Sequence, residues 1–597
     1  MAAHAYKPWS LSTTVRNPER LQDFLRVLKR FEGQPFNEST QIDYQVALIQ
    51  ERLYRPTKIP ANFVGVYEDY DSGLDWETAL AIFRAQQYKD PPMRGRQSLN
   101  PLKKLGFVRI EGSNKILQLT PSGNKALEGE KEFLEVFFRA MLKLQFPNPL
   151  SKGFTHGFNI RPFVAVLSLL RKIYEDFGIA ELDREEFCLF VPTLIDAGQV
   201  SKYAQKIQEY RNVSGTESKK RFVLDWVREF YEEPSLNTSD EKYNNLFDYG
   251  DNALRAFRLT GFLQVQSDPI QRKYAIRIEP TREAQVKQLL ENFTAYAQRF
   301  ESAEAYVDYL GDYNQPILPW EHSHNLREAI HHLIEWVNKN QAIRPYIDSS
   351  LLQMPDETHE IEYLRMIESK IRESIRLAVY KTNKESLRYK WDYLEEISYK
   401  ITEKEFLKGI KPEEFEKLIS NVFLILNDEV QVHPNYPTDE YGNPLSHAPG
   451  NRADIEVQYP TFDLLIEVTL DKTRFQWIRE SQPVMRHLKD YEEKHTDKDA
   501  YCLFIAPKVH EDTYSQFWIA VRYEYGGKPR RIIPLTTEQF TQLLKFAIAI
   551  GEFRHTLLRD LLNRLIDDLE NLKGYQKWQT AITERLESWI REQADAN

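Results

Sequence analysis

A carboxylate stands inside an apolar, β-branched run in the last third of this 597-residue chain. The run is Leu464-Leu-Ile-Glu467-Val-Thr469, and Asp454 precedes it at the end of the segment His447-Ala-Pro-Gly-Asn-Arg-Ala-Asp454. A buried carboxylate without a partner is costly, so an acid in such a run needs a compensating group. The pattern predicts a β-hairpin with Asp454 at the start of one strand and Glu467 in the next strand.

Two carboxylates that a hairpin brings together can hold Mg²⁺, which prefers oxygen ligands and keeps bound waters for chemistry. This is the layout of a metal-dependent nuclease core. Glu416 lies in a predicted helix ahead of the sheet, and Glu480 follows the sheet closely. Four converging carboxylates would make a strong cation site. Paired acids near hairpins are common, however, and from spacing alone a surface position at a strand end stays an open alternative.

Length and composition limit the class of protein. At roughly 100–200 residues per domain, the chain is expected to contain about three to five domains. No apolar run approaches the roughly 20 residues that span a bilayer, and the N-terminus lacks the apolar block of a signal peptide. Cys188 and Cys502 lie in apolar runs, which is typical of reduced core residues. We therefore expect a cytoplasmic protein without membrane contact.

The charge is unevenly distributed along the chain. A net charge of −10 argues against a protein that coats nucleic acid by bulk charge. Residues 84–115 nevertheless contain eight basic residues and two acids. This region also shows a helix, strand, turn, strand, helix pattern around Gly106, and the pattern recurs around Gly261, each glycine ending a helix. The pattern is typical of a winged helix; a solvated charged face and a winged helix used for protein contacts remain alternatives.

The first winged-helix region contains the candidate DNA contacts. Arginine can bind guanine through two hydrogen bonds, whereas asparagine and glutamine suit adenine. Lysine suits the phosphates, which position a protein on DNA. The candidates that precede Gly106 are Arg94, Arg96, Gln97, Asn100, Lys103 and Lys104.

The order of patterns predicts a multidomain α+β protein. Residues 1–145 form a winged-helix DNA-recognition subdomain in this interpretation, and residues 146–300 form a second one. Apolar residues at helical spacing predict a helical linker over residues 301–400. Residues 401–597 alternate helices with strands, including buried strands at 501–506 and 531–536. They predict a C-terminal α/β nuclease domain with a mixed central sheet.

Other site chemistries have weaker support. The histidines at 322, 324, 331 and 332 lack the paired four-residue spacing of a helical zinc hydrolase site. The chain contains no phosphate-binding Gly-Lys-Ser/Thr loop and no Gly-x-Ser-x-Gly elbow. Nucleotide hydrolysis and serine catalysis are therefore disfavoured.

Several motifs together resemble one enzyme family, the AlwI-type restriction endonucleases. They extend from residue 7 to beyond residue 500, so the resemblance covers nearly the whole chain. Each motif alone would be weak, whereas the combination is specific. The motifs are Lys7-Pro-Trp-Ser-Leu-Ser-Thr-Thr-Val-Arg-Asn-Pro-Glu-Arg-Leu, Asn159-Ile-Arg-Pro-Phe, His447-Ala-Pro-Gly-Asn-Arg-Ala-Asp, Ile466-Glu-Val-Thr, Glu480-Ser-Gln-Pro-Val-Met-Arg-His and Tyr501-Cys-Leu-Phe-Ile-Ala-Pro.

The resemblance implies a type IIS restriction enzyme or a related site-specific nickase. Such proteins have a recognition half with winged helices, a linker and a PD-(D/E)xK cleavage domain that cuts outside an asymmetric site with Mg²⁺. Asp454 and Glu467 would be the metal ligands, and Glu416 and Glu480 the supporting catalytic acids. The superfamily's usual lysine is Thr469 here, a form that AlwI-like proteins share. The water-activating role therefore stays open between Glu480 and Lys472.

The resemblance also implies partners. These are double-stranded DNA, a cognate DNA methyltransferase of the same restriction–modification system that defends against phage, and a transient dimer or small second subunit for second-strand cleavage. Two rival functions differ in class. One is a DNA-binding regulator with a dead nuclease domain, and intact Asp454 and Glu467 disfavour it. The other is a helical scaffold built on residues 300–400.

Overall fold

A computed structural model describes residues 6–11, 14–68, 73–151, 153–268, 270–271, 273–426, 430–439, 442–445, 448 and 452–596. The chain divides into two compact units, Met1–Ser267 with Lys273–Glu373, and Asp268–Arg272 with Ser374–Asn597. Within the described ranges, no helix is long and apolar enough to cross a membrane. The domain boundaries predicted near residues 145, 300 and 400 remain predictions.

The first unit is mainly helical. Its helices are α1 (Leu21–Leu28), α2 (Glu38–Gln50), α3 (Ala61–Glu68), α4 (Trp76–Ala85), α5 (Pro91–Lys104), α6 (Pro121–Ala126), α7 (Glu130–Lys143), α8 (Pro162–Phe177), α9 (Arg184–Phe190), α10 (Val200–Asn212), α11 (Thr216–Tyr231), α12 (Glu241–Leu259), α13 (Glu283–Asn292), α14 (Ala303–Gly311) and α15 (Ser323–Lys339). Its strands are β1 (Val108–Glu111), β2 (Ile116–Leu119), β3 (Glu181–Leu182), β4 (Leu263–Asp268) and β5 (Lys273–Ile278). Helix α16 (Ile361–Leu387) contains the division between the units.

The repeated helix, strand, strand, helix pattern is confirmed. It is formed by α5, β1, β2 and α6, and again by α12, β4, β5 and α13. Gly106 and Gly261 follow the two first helices with φ of 78° and 74°, the left-handed conformation expected of helix-ending glycines. Strands β1 and β2 pair antiparallel, and β5 lies between β3 and β4. The assignment of these segments as winged helices stays a prediction.

Local sequence and side-chain hydrogen bonds determine where several helices of this unit begin and end. Helix α8 begins at Pro162 and is buried along most of its length, as its apolar sequence predicts. Helix α9 begins with a capping box in which the Asp183 and Glu186 side chains each accept a backbone N–H of the other residue. At the end of α7, Lys143 Nζ donates to the carbonyls of Tyr309, Leu310 and Asp312 at 3.1, 2.7 and 2.7 Å. These bonds tie α7 to the end of α14.

The second unit combines helices with one central sheet. Its helices are α17 (Trp391–Lys400), α18 (Lys404–Gly409), α19 (Pro412–Leu426), α20 (Gln482–Lys494), α21 (Glu511–Arg522), α22 (Thr537–Ile550), α23 (His555–Leu565) and α24 (Tyr575–Ala596), with a π-helical turn at Trp477–Ser481. Its strands are β6 (Gln431–Pro434), β7 (Ile455–Gln458), β8 (Phe462–Val468), β9 (Asp499–Ala506) and β10 (Ile532–Thr536).

The predicted mixed sheet is confirmed among the described residues. The strand order is β10-β9-β8-β7-β6, with β8, β9 and β10 parallel and β6, β7 and β8 antiparallel. Nearly every side chain of β8 and β9 is buried, which is typical of strands covered on both faces. Cys188 and Cys502 are both buried, as predicted.

Candidate active site

The β7–β8 hairpin places Asp454 opposite Glu467. Ile455 pairs with Ile466 in the antiparallel register, so the next pair outward is Asp454 and Glu467. Asp454 Oδ2 also accepts the backbone N–H of Val468 at 2.8 Å, which fixes its carboxylate at the end of β8. The two acids that the sequence predicts to meet across a hairpin therefore do so. His447 and residues 449–451 of the preceding motif lie outside the described residues.

Glu467 is held by a buried histidine. Its side chain is 7% exposed at the end of β8, and its Oε1 lies 2.7 Å from His487 Nδ1. His487 is itself buried and lies on α20, the helix that follows the sheet hairpin. This histidine ends the motif that begins at Glu480, and the sequence alone predicted no role for it. The available signal was its spacing of seven residues from Glu480, which places both on one side of a helix.

Glu480 reaches the site from the π-helical turn Trp477–Ser481. Its Oε1 accepts the Thr469 hydroxyl at 2.9 Å, and the Thr469 backbone N–H donates to Ile505 O of β9 at 3.1 Å. Thr469, two residues after Glu467, therefore orients Glu480. Single π-helical turns frequently occur at functional sites.

Glu416 approaches from α19. Its side chain is 4% exposed, and its Oε2 accepts the backbone N–H of Ala448 at 3.2 Å. The bond joins α19 to the loop that leads to Asp454. Each of the four predicted acids therefore has a hydrogen-bond partner that sets its orientation, and each comes from a different segment of the second unit.

Burial and neighbouring negative charges raise the pKa values of Asp454, Glu416 and Glu480. Burial raises the pKa of Asp454 well above its usual value, and the charges of Glu467, Glu416 and Glu480 raise it further. Burial, with a smaller contribution from the Glu467 charge, raises the pKa of Glu480 to about 7. Burial raises the pKa of Glu416 to about 8, with smaller contributions from the charges of Glu413, Glu467 and Glu480. The acids thus lie within electrostatic reach of one another and resist carrying four negative charges at once.

This arrangement suits a divalent cation. Within the part of the chain that the structure describes, no three His, Cys, Asp or Glu side chains are already placed to hold a metal ion. The donor chemistry nevertheless fits Mg²⁺, which takes carboxylate oxygens and water. A cation at Asp454 and Glu467 would also relieve the repulsion that raises the pKa values of Asp454, Glu480 and Glu416.

The predicted DNA-contact residues lie on α5 in the first unit. Arg96 donates to Asp90 Oδ2 at 2.6 Å and to Gln41 Oε1 at 2.9 Å. Arg94 lies over the Tyr88 ring at 4.6 Å and donates to Gln97 Oε1 at 3.3 Å. The guanidinium of Arg96 is thus occupied at the start of α5, whereas Arg94 and Gln97 form a joined pair.

The remaining α5 candidates differ in exposure. Asn100 is exposed, and Lys103 and Lys104 are half-buried. Burial, and after it the charge of Lys7, lowers the pKa of Lys104. Lys104 also lines an apolar cavity with Leu105 and Phe137. Contact between these α5 side chains and DNA stays a prediction.

Comparison with known proteins identifies the family. Residues 103–543, most of the chain, match the family model described as AlwI restriction endonuclease. The chain belongs to the AlwI restriction endonuclease family. The resemblance found in the sequence motifs is thereby confirmed, and the protein is a site-specific restriction endonuclease that acts on DNA.

A search of curated proteins found no match. One similar solved structure is the small subunit (R.BspD6I2) of the heterodimeric restriction endonuclease R.BspD6I, 28% identical over 33% of this chain and 97% of that chain, with a TM-score of 0.27. Restriction endonuclease FokI is 12% identical over 94% of this chain and 99% of its own, with a TM-score of 0.21. FokI bound to DNA is 10% identical over 94% and 98%, with a TM-score of 0.20. TM-scores this low do not establish a common fold.

Proposed function

We propose that this restriction endonuclease is a Mg²⁺-dependent type IIS enzyme. It binds a short asymmetric site in double-stranded DNA and hydrolyses phosphodiester bonds a few nucleotides outside that site. The observation that carries the proposal is the meeting of Asp454, Glu467, Glu480 and Glu416 at one end of the central sheet. The basic helix α5 belongs to the other unit, which supports recognition and cleavage at different places on the DNA.

Asp454 and Glu467 hold the cation in this proposal. Bound Mg²⁺ lowers the pKa of a coordinated water and stabilises charge on the phosphate under attack. His487 keeps Glu467 Oε1 in place, so its second oxygen keeps one orientation. Glu416 lies within electrostatic reach of Asp454, and once it is ionised beside a bound cation its negative charge would strengthen cation binding.

Glu480 is the proposed acceptor of the proton from the attacking water. A general base works best with a pKa near the working pH, and the pKa of Glu480 is raised to about 7. Thr469 binds Oε1, and we therefore assign the proton to Oε2. Lys472 is the competing candidate for this role, and it is exposed in the loop beyond Thr469.

The test is a plasmid digest with Mg²⁺, with EDTA as the control, followed by sequencing of the DNA ends. Linear fragments whose ends lie at a fixed offset from one short motif would support the type IIS proposal and reveal the site. Nicked circles alone would favour a strand-specific nickase that needs a second subunit. Untouched plasmid would contradict the proposal and favour a regulator without nuclease activity.

Two variants test the site assignment. We expect Asp454→Ala and Glu467→Ala each to abolish cutting, because each removes a proposed cation ligand. DNA binding should persist in both, as measured by a gel-shift assay with Ca²⁺ in place of Mg²⁺. Cutting that survives in both variants would place the active site elsewhere.

A further inference from the structure

One loop beside the acid cluster presents an exposed aromatic ring. Residues Thr469–Ser481, called the Phe475 loop below, connect the end of β8 with the start of α20. The loop therefore joins the strand of Glu467 to the helix of His487. Phe475 lies near its middle and is 59% exposed. No catalytic role described above uses this ring.

Hydrogen bonds hold the loop in a fixed shape. The fully buried Gln476 donates to the carbonyls of Asp471 and Lys508 at 2.6 and 2.9 Å, and accepts the His510 N–H at 2.7 Å. Asp471 Oδ1 accepts the backbone N–H and the hydroxyl of Thr473 at 2.8 and 2.7 Å. The exposed ring is thus presented by an ordered backbone, which reduces the entropy lost when it contacts a ligand.

Basic side chains lie on the Phe475 loop and beside it. Lys472 and Lys508 are exposed, and the Arg474 side chain is 80% exposed at 3.5 Å from Asp512. The Arg479 guanidinium lies 5.7 Å from the Phe475 ring centroid. This mixture of an aromatic ring and exposed cations suits a nucleic-acid strand, whose phosphates take the cations and whose bases stack on the ring.

The ring lies on the chain segment that leads to Glu480. The Phe475 carbonyl accepts the N–H of Arg479 at 3.0 Å, so one helical turn joins Phe475 to the residue before Glu480. From Phe475 to Glu480 a helix rises about 7.5 Å at about 1.5 Å per residue, which is about two base steps of about 3.4 Å along a DNA strand. A strand whose phosphate reaches the acids therefore brings a nearby nucleotide within range of Phe475.

We propose that Phe475 packs against the base next to the scissile phosphate, while Lys472 and Arg474 contact the flanking phosphates. This inference rests on the proposed function and adds a positioning residue to it. An enzyme that cuts outside its recognition site meets any base at the cut. Stacking and phosphate contact tolerate any sequence, whereas hydrogen bonds to base edges do not. The Phe475 loop has the chemistry that such a position requires.

The test compares Phe475→Ala with Phe475→Trp in the full-length protein, on a duplex that contains the site found in the plasmid digest. We expect Phe475→Ala to lower kcat/KM about 5- to 100-fold through loss of stacking, and Phe475→Trp to stay within about threefold of wild type. Tyr523→Ala is a matched control, because Tyr523 is 61% exposed and lies 5.3 Å from the Arg522 guanidinium. It follows the last residue of α21, and its removal should leave kcat/KM unchanged.

A fluorescent base reports directly whether the Phe475 ring contacts the DNA. With 2-aminopurine beside the scissile phosphate and Ca²⁺ in place of Mg²⁺, binding of wild type should change the fluorescence, and binding of Phe475→Ala should not. Lys472→Ala and Arg474→Ala should each reduce the slope of log affinity against log salt by about one. The melting temperature of each variant should match that of wild type, since these side chains are exposed.

Three results would overturn the inference. One is a kcat/KM of Phe475→Ala equal to that of wild type, and another is a fluorescence change on binding of Phe475→Ala equal to that of wild type. The third is a Phe475→Ala variant whose cutting rate no longer depends on enzyme concentration although its fluorescence response equals that of wild type. The ring would then be a protein–protein contact. Cutting by wild type in the same experiment shows that the proposed function holds independently; failure of wild type to cut would instead contradict the proposed function.

Discussion

His487 shows how one buried side chain sets the orientation of a proposed ligand. It lies 2.7 Å from Glu467 Oε1, and groups that orient metal ligands commonly contribute 10- to 100-fold, roughly, to metal affinity. We therefore expect His487→Ala to raise the Mg²⁺ concentration for half-maximal cutting by about that factor. The measurement is cutting rate against Mg²⁺ concentration at saturating DNA.

A second histidine on the same helix segment provides the control. His495 follows the end of α20, stacked on Tyr491 with ring centroids 4.0 Å apart. His495→Ala should leave the Mg²⁺ dependence as in wild type. An unchanged Mg²⁺ dependence in His487→Ala would mean that Glu467 does not need its partner to bind the cation.

Glu480 makes stability depend on pH without metal. Its pKa is raised from 4.5 to about 7, so between these values the unfolded state has lost the proton that the folded state keeps. Rising pH therefore destabilises the folded protein across this window, and the penalty is constant above about pH 7. Glu480→Gln removes the penalty, and we expect its melting temperature in EDTA to exceed that of wild type by about 3 °C or more at pH 8.

The contrast between two pH values is the decisive measurement for this variant. At pH 4.5 wild type and Glu480→Gln should melt within about 1 °C of each other, because the carboxyl is then protonated in the folded state and half protonated in the unfolded state, so little of the penalty remains. A stabilisation of equal size at both pH values would show that packing, and not ionisation, is responsible.

At the residue scale, the sequence predicted the acids better than their partners. Glu467 could be selected because a carboxylate in an apolar run needs a compensating group, and the other three acids were selected from their positions at, before and after the predicted hairpin. His487 and Thr469 could not be assigned roles, since their contacts depend on how α20 and the π-helical turn pack against β8. Helix and strand periodicity relates residues within one element, whereas these contacts join residues of different elements.

Helix α5 combines structural and binding roles that one experiment can separate. Arg96 joins Asp90 and Gln41, so Arg96→Ala leaves two polar groups without their partner. We expect it to lower the melting temperature by about 2 to 4 °C, corresponding to about 1 kcal/mol. Lys103→Ala removes a proposed phosphate contact and should reduce the salt slope of DNA binding by about one.

The melting temperature of Lys103→Ala should stay near that of wild type. This side chain is only half-buried at the end of α5, and substitutions outside the core usually change stability little. Thermal unfolding and gel-shift titrations at several salt concentrations distinguish the two roles. A Lys103→Ala variant that binds DNA with the wild-type salt slope would place the phosphate contacts on another element.

At the element scale, local patterns were enough for the hairpin, for β9 and β10, and for the helices ended by Gly106 and Gly261. Alternation, apolar runs and glycine position are local signals that need no tertiary information. The pairing of β3 with β5 and the contacts of Gln476 with Lys508 and His510 join distant segments. The local sequence contains no signal for them.

At the scale of the whole molecule, the prediction and the structure describe different features of residues 301–400. The prediction is a helical linker, whereas the structure shows the point at which one compact unit ends and the other begins. The sequence over residues 301–400 has apolar residues at helical spacing, and α16 runs unbroken through the point between Glu373 and Ser374 where the two units divide. Periodicity indicates that a helix continues; it does not indicate which core each turn packs against. A division inside a helix is therefore invisible to the pattern.

The number of cutting centres per chain determines the course of the reaction. The described residues contain one cluster of the four acids, whereas the two DNA strands present their phosphates with opposite polarity. One centre attacks one strand at a time, so we expect nicked circles to appear before linear DNA. The fraction of linear product should rise more steeply than the first power of enzyme concentration if a second chain makes the second cut.

A mixing experiment tests this order of events. A tenfold excess of Asp454→Ala over wild type would pair most active chains with inactive ones, and nicked circles should then accumulate at the expense of linear DNA. The readout is agarose electrophoresis of supercoiled plasmid over time, at a DNA concentration high enough for both proteins to bind. If the ratio of linear to nicked product stays as in wild type alone, one chain cuts both strands in turn by reorienting on the DNA, and the second chain is unnecessary.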